Sequence, residues 1–329
     1  MEKGHSRKDL NSIEGRKALI FSDSKSFFGI LARPWQQERG PMTYQLIAAV
    51  LALLSALVVA TGTVIRHLVA DEQPLPEEGG GSAKATLTSA KWWAGAGVSV
   101  VGYLLQAAAL RFASILLVQP ITILSLFFAL PLSARFTGRR VRVQDWVWAV
   151  VLTLGVGVLL VVGRPTNTHA KAHPALWVGS PAVGVVIVVL LLRLAKKGLR
   201  KERALLVGLA SGITYGYMSF LTKGVVMDLS AGRILTVLTH PALYLVIVAA
   251  IVGTWLQQAA FNAGAIQQSL PAMTVASPLT SSVLGVIVFQ ERFTTSASLY
   301  WLIIVAAIAT VVAVVQLSRA EAQDDIEQD

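Results

Sequence analysis

The sequence predicts an all-α polytopic membrane protein of about nine transmembrane helices in two inverted structural repeats. Three observations predict it: apolar stretches of bilayer length, scarce charge and a weak internal repeat. A spanning helix needs about 20 mostly apolar residues, because the rise is about 1.5 Å per residue and the hydrocarbon core is about 30 Å thick. Stretches of that length run over 42–65, 92–110, 112–134, 146–163, 176–194, 204–222, 241–261, 269–289 and 299–317. They leave no room for a sizeable water-soluble domain. Of the 329 residues, 54% are hydrophobic and 14% charged, against roughly 25% charged in soluble domains.

The loops set the expected topology. Arg135, Arg139, Arg140 and Arg142 crowd the loop after span 3. Arg193, Lys196, Lys197, Arg200, Lys201 and Arg203 crowd the loop after span 5. With Lys84, Lys91 and Arg319, one face holds thirteen basic residues. The other holds six: Arg111, Arg164, Lys171, Lys223, Arg233 and Arg292. Short positive loops face the cytoplasm, so the C-terminus is expected to be cytoplasmic, at a plasma (inner) membrane. The net charge of +10 is thereby assigned to topology, and no nucleic-acid partner is expected. The chain has no cysteine, which excludes disulfides, thiolate metal sites and cysteine nucleophiles.

Residues 1–41 read as a tail without a signal-peptide pattern. Their eight basic residues against five acids conflict with an outside N-terminus. Either the tail crosses despite its charge, or the true start is Met42. Stretch 17–33 reads as an amphipathic surface helix, too polar to span. The remaining organisation is a first membrane repeat over 42–163 (spans 1–4), a loop over 164–175, a second repeat over 176–318 (spans 5–9) and an acidic tail over 319–329. Asp71, Glu72, Glu77 and Glu78, with Pro74, Pro76 and Gly79 to Gly81, read as a flexible solvated linker.

The repeat shows where Leu105-Gln106-Ala107-Ala108-Ala109 stands beside Leu256-Gln257-Gln258-Ala259-Ala260. At the same offset of 151, Ile115 meets Ile266 and Pro120 meets Pro271. The offset moves span 2 onto span 7, an odd shift that inverts one copy against the other. Inverted repeats are a signature of secondary transporters, with the substrate site near the midplane where the halves meet.

The run KWWAGAGVSVVGYLLQAAALRFASILLVQPITILSLFFALPLSARF and the stretch RRVRVQDWVWAVVLTLGVGVLLVV resemble the drug/metabolite transporter superfamily, of EamA-like type. LQQAAFNAGAIQQSLPAMTVASPLTSSVLGVIVFQERF is similar to the family's other half, where a proline-bearing helix leads to a Glu-Arg pair, here Glu291-Arg292. The nine-span count and the WWAG opening resemble the NIPA-type magnesium transporter branch. The resemblance covers roughly 42–318 and implies a bundle of inverted repeats that moves a substrate. One departure is Arg139-Arg140, which stands where the first copy of the Glu-Arg pair is expected.

Polar groups inside spans are costly, so their placement is informative. Asp145, Asp228 and Glu291 fall at span ends and are expected to sit in water. The candidate cavity is neutral: Tyr103 and Gln106 from span 2, Gln119 and Thr122 from span 3, Tyr215 from span 6, Gln257, Gln258 and Asn262 from span 7, and Thr274 and Ser277 from span 8. Gln106 and Gln257 are expected to face one central cavity. Pro120, Pro271 and Pro278 each remove a backbone donor, free a carbonyl one turn earlier and are expected to act as hinges. Gly208, Gly212 and Gly216 form a small-residue ridge on span 6. Packing within the bundle is favoured over a homodimer contact there.

No nucleophile–base pair or metal-ligand cluster appears, so no enzymatic activity, cofactor or metal site is expected. The reading is a secondary transporter of a neutral polar or weakly amphipathic small molecule, working by alternating access in the lipid bilayer. Two alternatives stand beside it: a magnesium transporter, and a non-transporting membrane partner of a cell-envelope enzyme or lipid carrier. Mg²⁺ favours octahedral oxygen ligands and keeps several waters, so the absence of carboxylates from the spans weighs against it.

Overall fold

The computed structural model describes residues 41–71, 89–137, 141–166, 174–232, 234–239, 241–263 and 266–326. The expectations for the tail, the acidic linker, Lys84, Arg139, Arg140, Lys171 and Arg233 lie outside them. The chain divides into two units, residues 1–46 and 47–329. The second holds the helical bundle.

The chain is an all-α polytopic membrane protein. Its helices are α1 (Pro41–Asp71), α2 (Ala90–Phe112), α3 (Ile115–Ile123), α4 (Ser125–Thr137), α5 (Val143–Val161), α6 (Pro174–Ala195), α7 (Arg200–Ser230), α8 (Ile234–Thr239), α9 (Pro241–Asn262), α10 (Ile266–Val288) and α11 (Tyr300–Ile326). A two-residue ribbon pairs β1 (Pro165–Thr166) with β2 (Arg292–Phe293), antiparallel. Among the described residues, eight segments are long and apolar enough to cross a membrane, with α3 and α4 together forming one of them. The ninth expected span is shorter: α6 contributes the apolar run Gly179–Ala195. α6 itself has 22 residues, and its apolar run lies at the short end of the ~17–25 residues a spanning helix uses. Large apolar side chains lie exposed along the outside, among them Leu190, Ile251, Trp255, Trp301 and Ile308. In water such surfaces drive aggregation; against lipid they are at home.

The third span is broken where the sequence gives a continuous apolar stretch. α3 stops at Ile123, Leu124 forms a tight turn with its N–H on the Ile121 and Thr122 carbonyls, and α4 resumes at Ser125. Pro120 already lacks the N–H that would hold the Leu116 carbonyl, and Thr122 Oγ1 donates to Gln119 O at 2.9 Å. Local bonds have replaced part of the regular ladder at this point.

Small residues set the close packing. A Cβ added at Gly208, Gly212 or Gly216 would run into the backbone of Ser269, Met273 and Ser277 in turn, so α7 and α10 lie parallel and in tight contact. The small-residue ridge thus packs within the bundle. Around it, α7 also contacts α2, α6 and α9, while α11 packs on α5 and α10.

Several features recur at fixed spacing. α2 starts at Ala90 and α9 at Pro241, 151 residues on; α3 starts at Ile115 and α10 at Ile266, again 151 residues on. Ser55 Oγ on α1 donates to Gly102 O at 2.8 Å. Ser211 Oγ on α7 donates to Gly253 O at 3.0 Å, and Gly253 is Gly102 shifted by the same 151. Ser55 and Ser211 are 156 apart, a shift that carries Ala52, Ala56 and Ala60 onto Gly208, Gly212 and Gly216. All three alanines are buried.

The packing gives a direct test. Gly212→Val should lower stability by about 2 kcal/mol or more, because the added methyls meet backbone that cannot retreat. Gly157→Val on α5, where nothing lies within 4 Å of the new Cβ, should be close to neutral. Thermal unfolding of both purified variants checks the difference.

Candidate functional site

A cavity of about 210 Å³ lies between α1, α2, α3, α4, α7, α9 and α10. Eight of the ten candidate residues line it: Tyr103, Gln106, Gln119, Thr122, Tyr215, Gln257, Thr274 and Ser277. Gln106 and Gln257 therefore do share one cavity. Gln258 is not among its lining residues, and the side chain of Asn262 lies outside the described residues. Of the three prolines, Pro278 lines the cavity, while Pro120 and Pro271 are buried within their helices. The residues that the sequence did not single out come mainly from α1: Ser55, Val59 and Thr63. Their helix reads as plain apolar, and only the 156-residue shift onto α7 marks that face.

The cavity has hydrogen-bonding character without charge. No Asp, Glu, Lys, Arg or His is among its lining residues. Tyr215 OH lies 3.0 Å from Thr254 Oγ1 and donates to Gln257 Oε1 at 3.2 Å. Thr274 Oγ1 is spent on Leu270 O at 2.7 Å. Gln119 is different. Its side chain is 3% exposed, and Nε2 has no hydrogen-bond partner. A buried donor left unsatisfied costs about 1–3 kcal/mol, so this amide is a built-in demand for an oxygen acceptor.

A buried ion pair lies about one helical turn beyond the cavity lining on α7 and α3. Lys223 lies one helical turn past Ser219 on α7, and Ile115 one turn before Gln119 on α3. There Lys223 Nζ donates to Glu291 Oε1, with the two side chains 1% and 0% exposed. Glu291 also accepts from Ile115 N at 2.9 Å and Leu116 N at 3.0 Å. Lys223 Nζ further donates to Ala113 O at 3.3 Å. The carboxylate thus caps the N-terminus of α3, where the first N–H groups lack intrahelical partners and the helix dipole favours negative charge. Ser114 Oγ adds a bond from Leu117 N at 3.2 Å.

The local chain explains how Glu291 gets there. α10 ends at Val288, and Gln290 turns left-handed at φ 55. Glu291 N–H then donates back to Gly285 O at 3.1 Å, so the side chain is aimed inward. A Cβ at position 285 would press on the carboxylate, so glycine is needed there. Trp177, Phe220 and Phe289 close over the pair with ring centroids 5.0 to 5.9 Å apart. Lys223 Nζ lies 5.4 Å from the centre of the Phe289 ring, a favourable cation–π position. The ribbon adds a tie at the chain ends, with Thr294 N donating to Arg164 O and Tyr300 OH to Phe293 O.

These observations correct the sequence reading of the charged groups. Glu291 was expected in water at a helix end and is fully buried. Asp145, also expected in water, is buried in the first turn of α5. Asp228 is half-buried. Lys223, counted among the loop residues of the poorer face, is inside the protein because α7 continues to Ser230. For Glu291 and Lys223 the physical reason is the α3 N-terminus, whose buried N–H groups favour an anion.

An uncharacterized protein of Corynebacterium glutamicum is 39% identical to the chain over 287 residues, covering 84% of this chain and 96% of that protein. The chain belongs to that protein's family. No family model matches the chain, and no solved structure matches it.

Removing one partner of a buried ion pair strands the other and costs about 3–5 kcal/mol. Lys223→Met and Glu291→Gln should each fall near that range. The double variant Lys223→Met/Glu291→Gln should lose well short of the sum, because no charge is left unpaired. Denaturation of the four proteins in mixed micelles, read as a double-mutant cycle, checks this; additive losses would show that the two groups do not depend on each other.

Proposed function

We propose that this protein is a secondary transporter of the drug/metabolite type, moving a small uncharged polar or amphipathic molecule by alternating access. One observation carries the reading. The cavity lining comes in pairs related by the same two shifts: Gln106 with Gln257, Ile123 with Thr274, Leu126 with Ser277, Val59 with Tyr215 and Thr63 with Ser219. A site at the meeting of two inverted halves is what alternating access requires, since each half can then adopt the other's packing. The Lys223–Glu291 pair, one turn beyond the lining, serves as one gate in this reading. The resemblance of residues 42–318 to drug/metabolite transporters points the same way.

The choice of solute follows from the lining. Amides, hydroxyls and a phenol suit hydroxyl or carbonyl oxygens. A divalent cation gains most from carboxylates, and Glu291 is committed to Lys223 and the α3 N-terminus. A neutral solute is therefore favoured over magnesium.

The lack of native cysteine makes the test clean. Thr122→Cys and Ser277→Cys, made singly and reconstituted in liposomes, should each react with a membrane-impermeant maleimide from both faces. A transporter must expose its site to each side in turn. Labelling from one face alone would favour the non-transporting partner instead. Adding Glu291→Gln should raise labelling from the face at the Lys223 end several-fold.

A further inference from the structure

A second pocket of about 170 Å³ adjoins the polar cavity and has the opposite character. Its walls are mostly apolar, among them Leu116, Pro120, Leu159, Ile303, Val311 and Val314, with hydroxyls from Thr274, Ser282 and Thr310. Its buried hydroxyl is spent: Thr310 Oγ1 donates to Ala306 O at 2.8 Å. The two pockets share Ile123, Thr274 and Pro278. α3 and α10 are thus the partition between them. On α3, Gln119 and Thr122 face the polar cavity, and Leu116 and Pro120 face the apolar pocket. The apolar pocket is rimmed by Leu279, half of whose surface is exposed on the outside of the bundle. It therefore borders the membrane as well as the cavity.

Resting on the transporter reading, we propose that the molecule carried is a single-chain amphiphile. Its uncharged, oxygen-bearing head sits in the polar cavity with an oxygen accepting from Gln119 Nε2, and its alkyl chain lies in the apolar pocket. Three observations converge. The polar cavity presents a buried donor without a partner. Neither pocket has a charged lining residue, so a charged head would lose its hydration without compensation. The pockets meet at shared residues, so one molecule can fill both. The 151-residue shift places Leu270 opposite Gln119, so the donor is present on one side only and fixes the direction in which the head points. An alkyl chain gains free energy in the apolar pocket in proportion to the area it buries, and the lipid-facing rim gives it a route of entry from the bilayer.

The experiment measures thermal stabilisation of the full-length protein in phosphatidylcholine nanodiscs by 1-monoacylglycerols of increasing chain length, from acetyl to octanoyl. A ligand of the folded state must raise the apparent stability. In the wild type, the half-maximal concentration should fall at least tenfold along the series. In Val311→Trp, which fills the apolar pocket, that gain should collapse while the acetyl compound is unaffected. Ala307→Leu, a smaller intrusion into the same pocket, should give an intermediate result and serves if the tryptophan variant does not fold. Gln119→Leu should weaken every member by about the same factor, near tenfold. Bilayer partition cancels in the comparison because all variants share one membrane. Identical chain-length dependence in wild type and both pocket variants would show a bilayer lipid in the pocket and overturn the proposal. So would the absence of saturable stabilisation in the wild type. Intact chain-length-dependent binding without flux in proteoliposomes would instead defeat the transporter reading and leave the amphiphile site standing.

Discussion

A buried carboxylate at the start of a broken helix is the constraint on which the rest of this structure depends. A backbone polar group buried away from water needs a partner. The chain breaks between α2 and α3 at Ala113 and Ser114, which leaves the first N–H groups of α3 unbonded in an apolar setting. Glu291 meets two of them. An anion there needs a counter-charge, and Lys223 provides it from α7. Lys223 in turn reaches the Ala113 carbonyl at the end of α2. Four separate parts of the chain are thereby fixed to one point. Since Gln119 stands one turn further along α3, the same point also fixes the floor of the cavity.

The pair is worth more as a register pin than as a source of stability. Burying two charges costs several kcal/mol per ion, and their attraction does little more than return that cost. What the pair does achieve is exclusivity, because any other seating of α3 would strand a charge. The aromatic cover of Trp177, Phe220 and Phe289 keeps water from offering an alternative partner. The uncharged cavity next to it uses weaker forces. Tyr215, Gln257 and Gln119 can orient an oxygen-bearing group by direction alone, without the desolvation penalty of an ion.

Much of this was legible in the sequence, and the illegible part has a definite physical character. The spans follow from length and hydropathy, with α6 the shortest apolar run among them. The glycine ridge on α7 follows from its four-residue spacing. Gln106 and Gln257 are legible because a polar amide inside an apolar run has few reasons to be there. Lys223 and Glu291 were misread because a hydropathy pattern is blind at the ends of apolar runs, where solvated and buried charges look alike. A signal did exist. Lys223 continues the face of Gly212, Gly216 and Ser219 on α7, and that face is buried. The Glu291 carboxylate has no sequence-local hydrogen-bond partner, since its side-chain bonds reach residues 68 to 176 positions away. The break at Leu124 was half visible: Pro120 marks a weak point in the span, but the apolar stretch after it reads the same whether its helix continues or is interrupted.

On the inverted-repeat reading, the two shifts expose an asymmetry with energetic consequences. Moving Glu291 back by 151 gives Arg140, and moving Lys223 back by 156 gives His67. Two basic types cannot make an acid–base pair, so the Lys223–Glu291 lock has no counterpart at the shifted positions. On the transporter reading the two closed states then differ in free energy by the lock's contribution. If opening it costs about 3–5 kcal/mol, the open state holds on the order of one molecule in a few hundred to a few thousand at rest. A bound solute can shift that balance only by binding the two states unequally. Several tenfold steps of preference are needed, each worth about 1.4 kcal/mol. The unpartnered Gln119 amide lies one turn from the lock on α3, so a bond to it acts on the same helix whose N-terminus Glu291 holds. Relief of that buried donor is where unequal binding can arise, because the bond is made only when the solute is seated against α3.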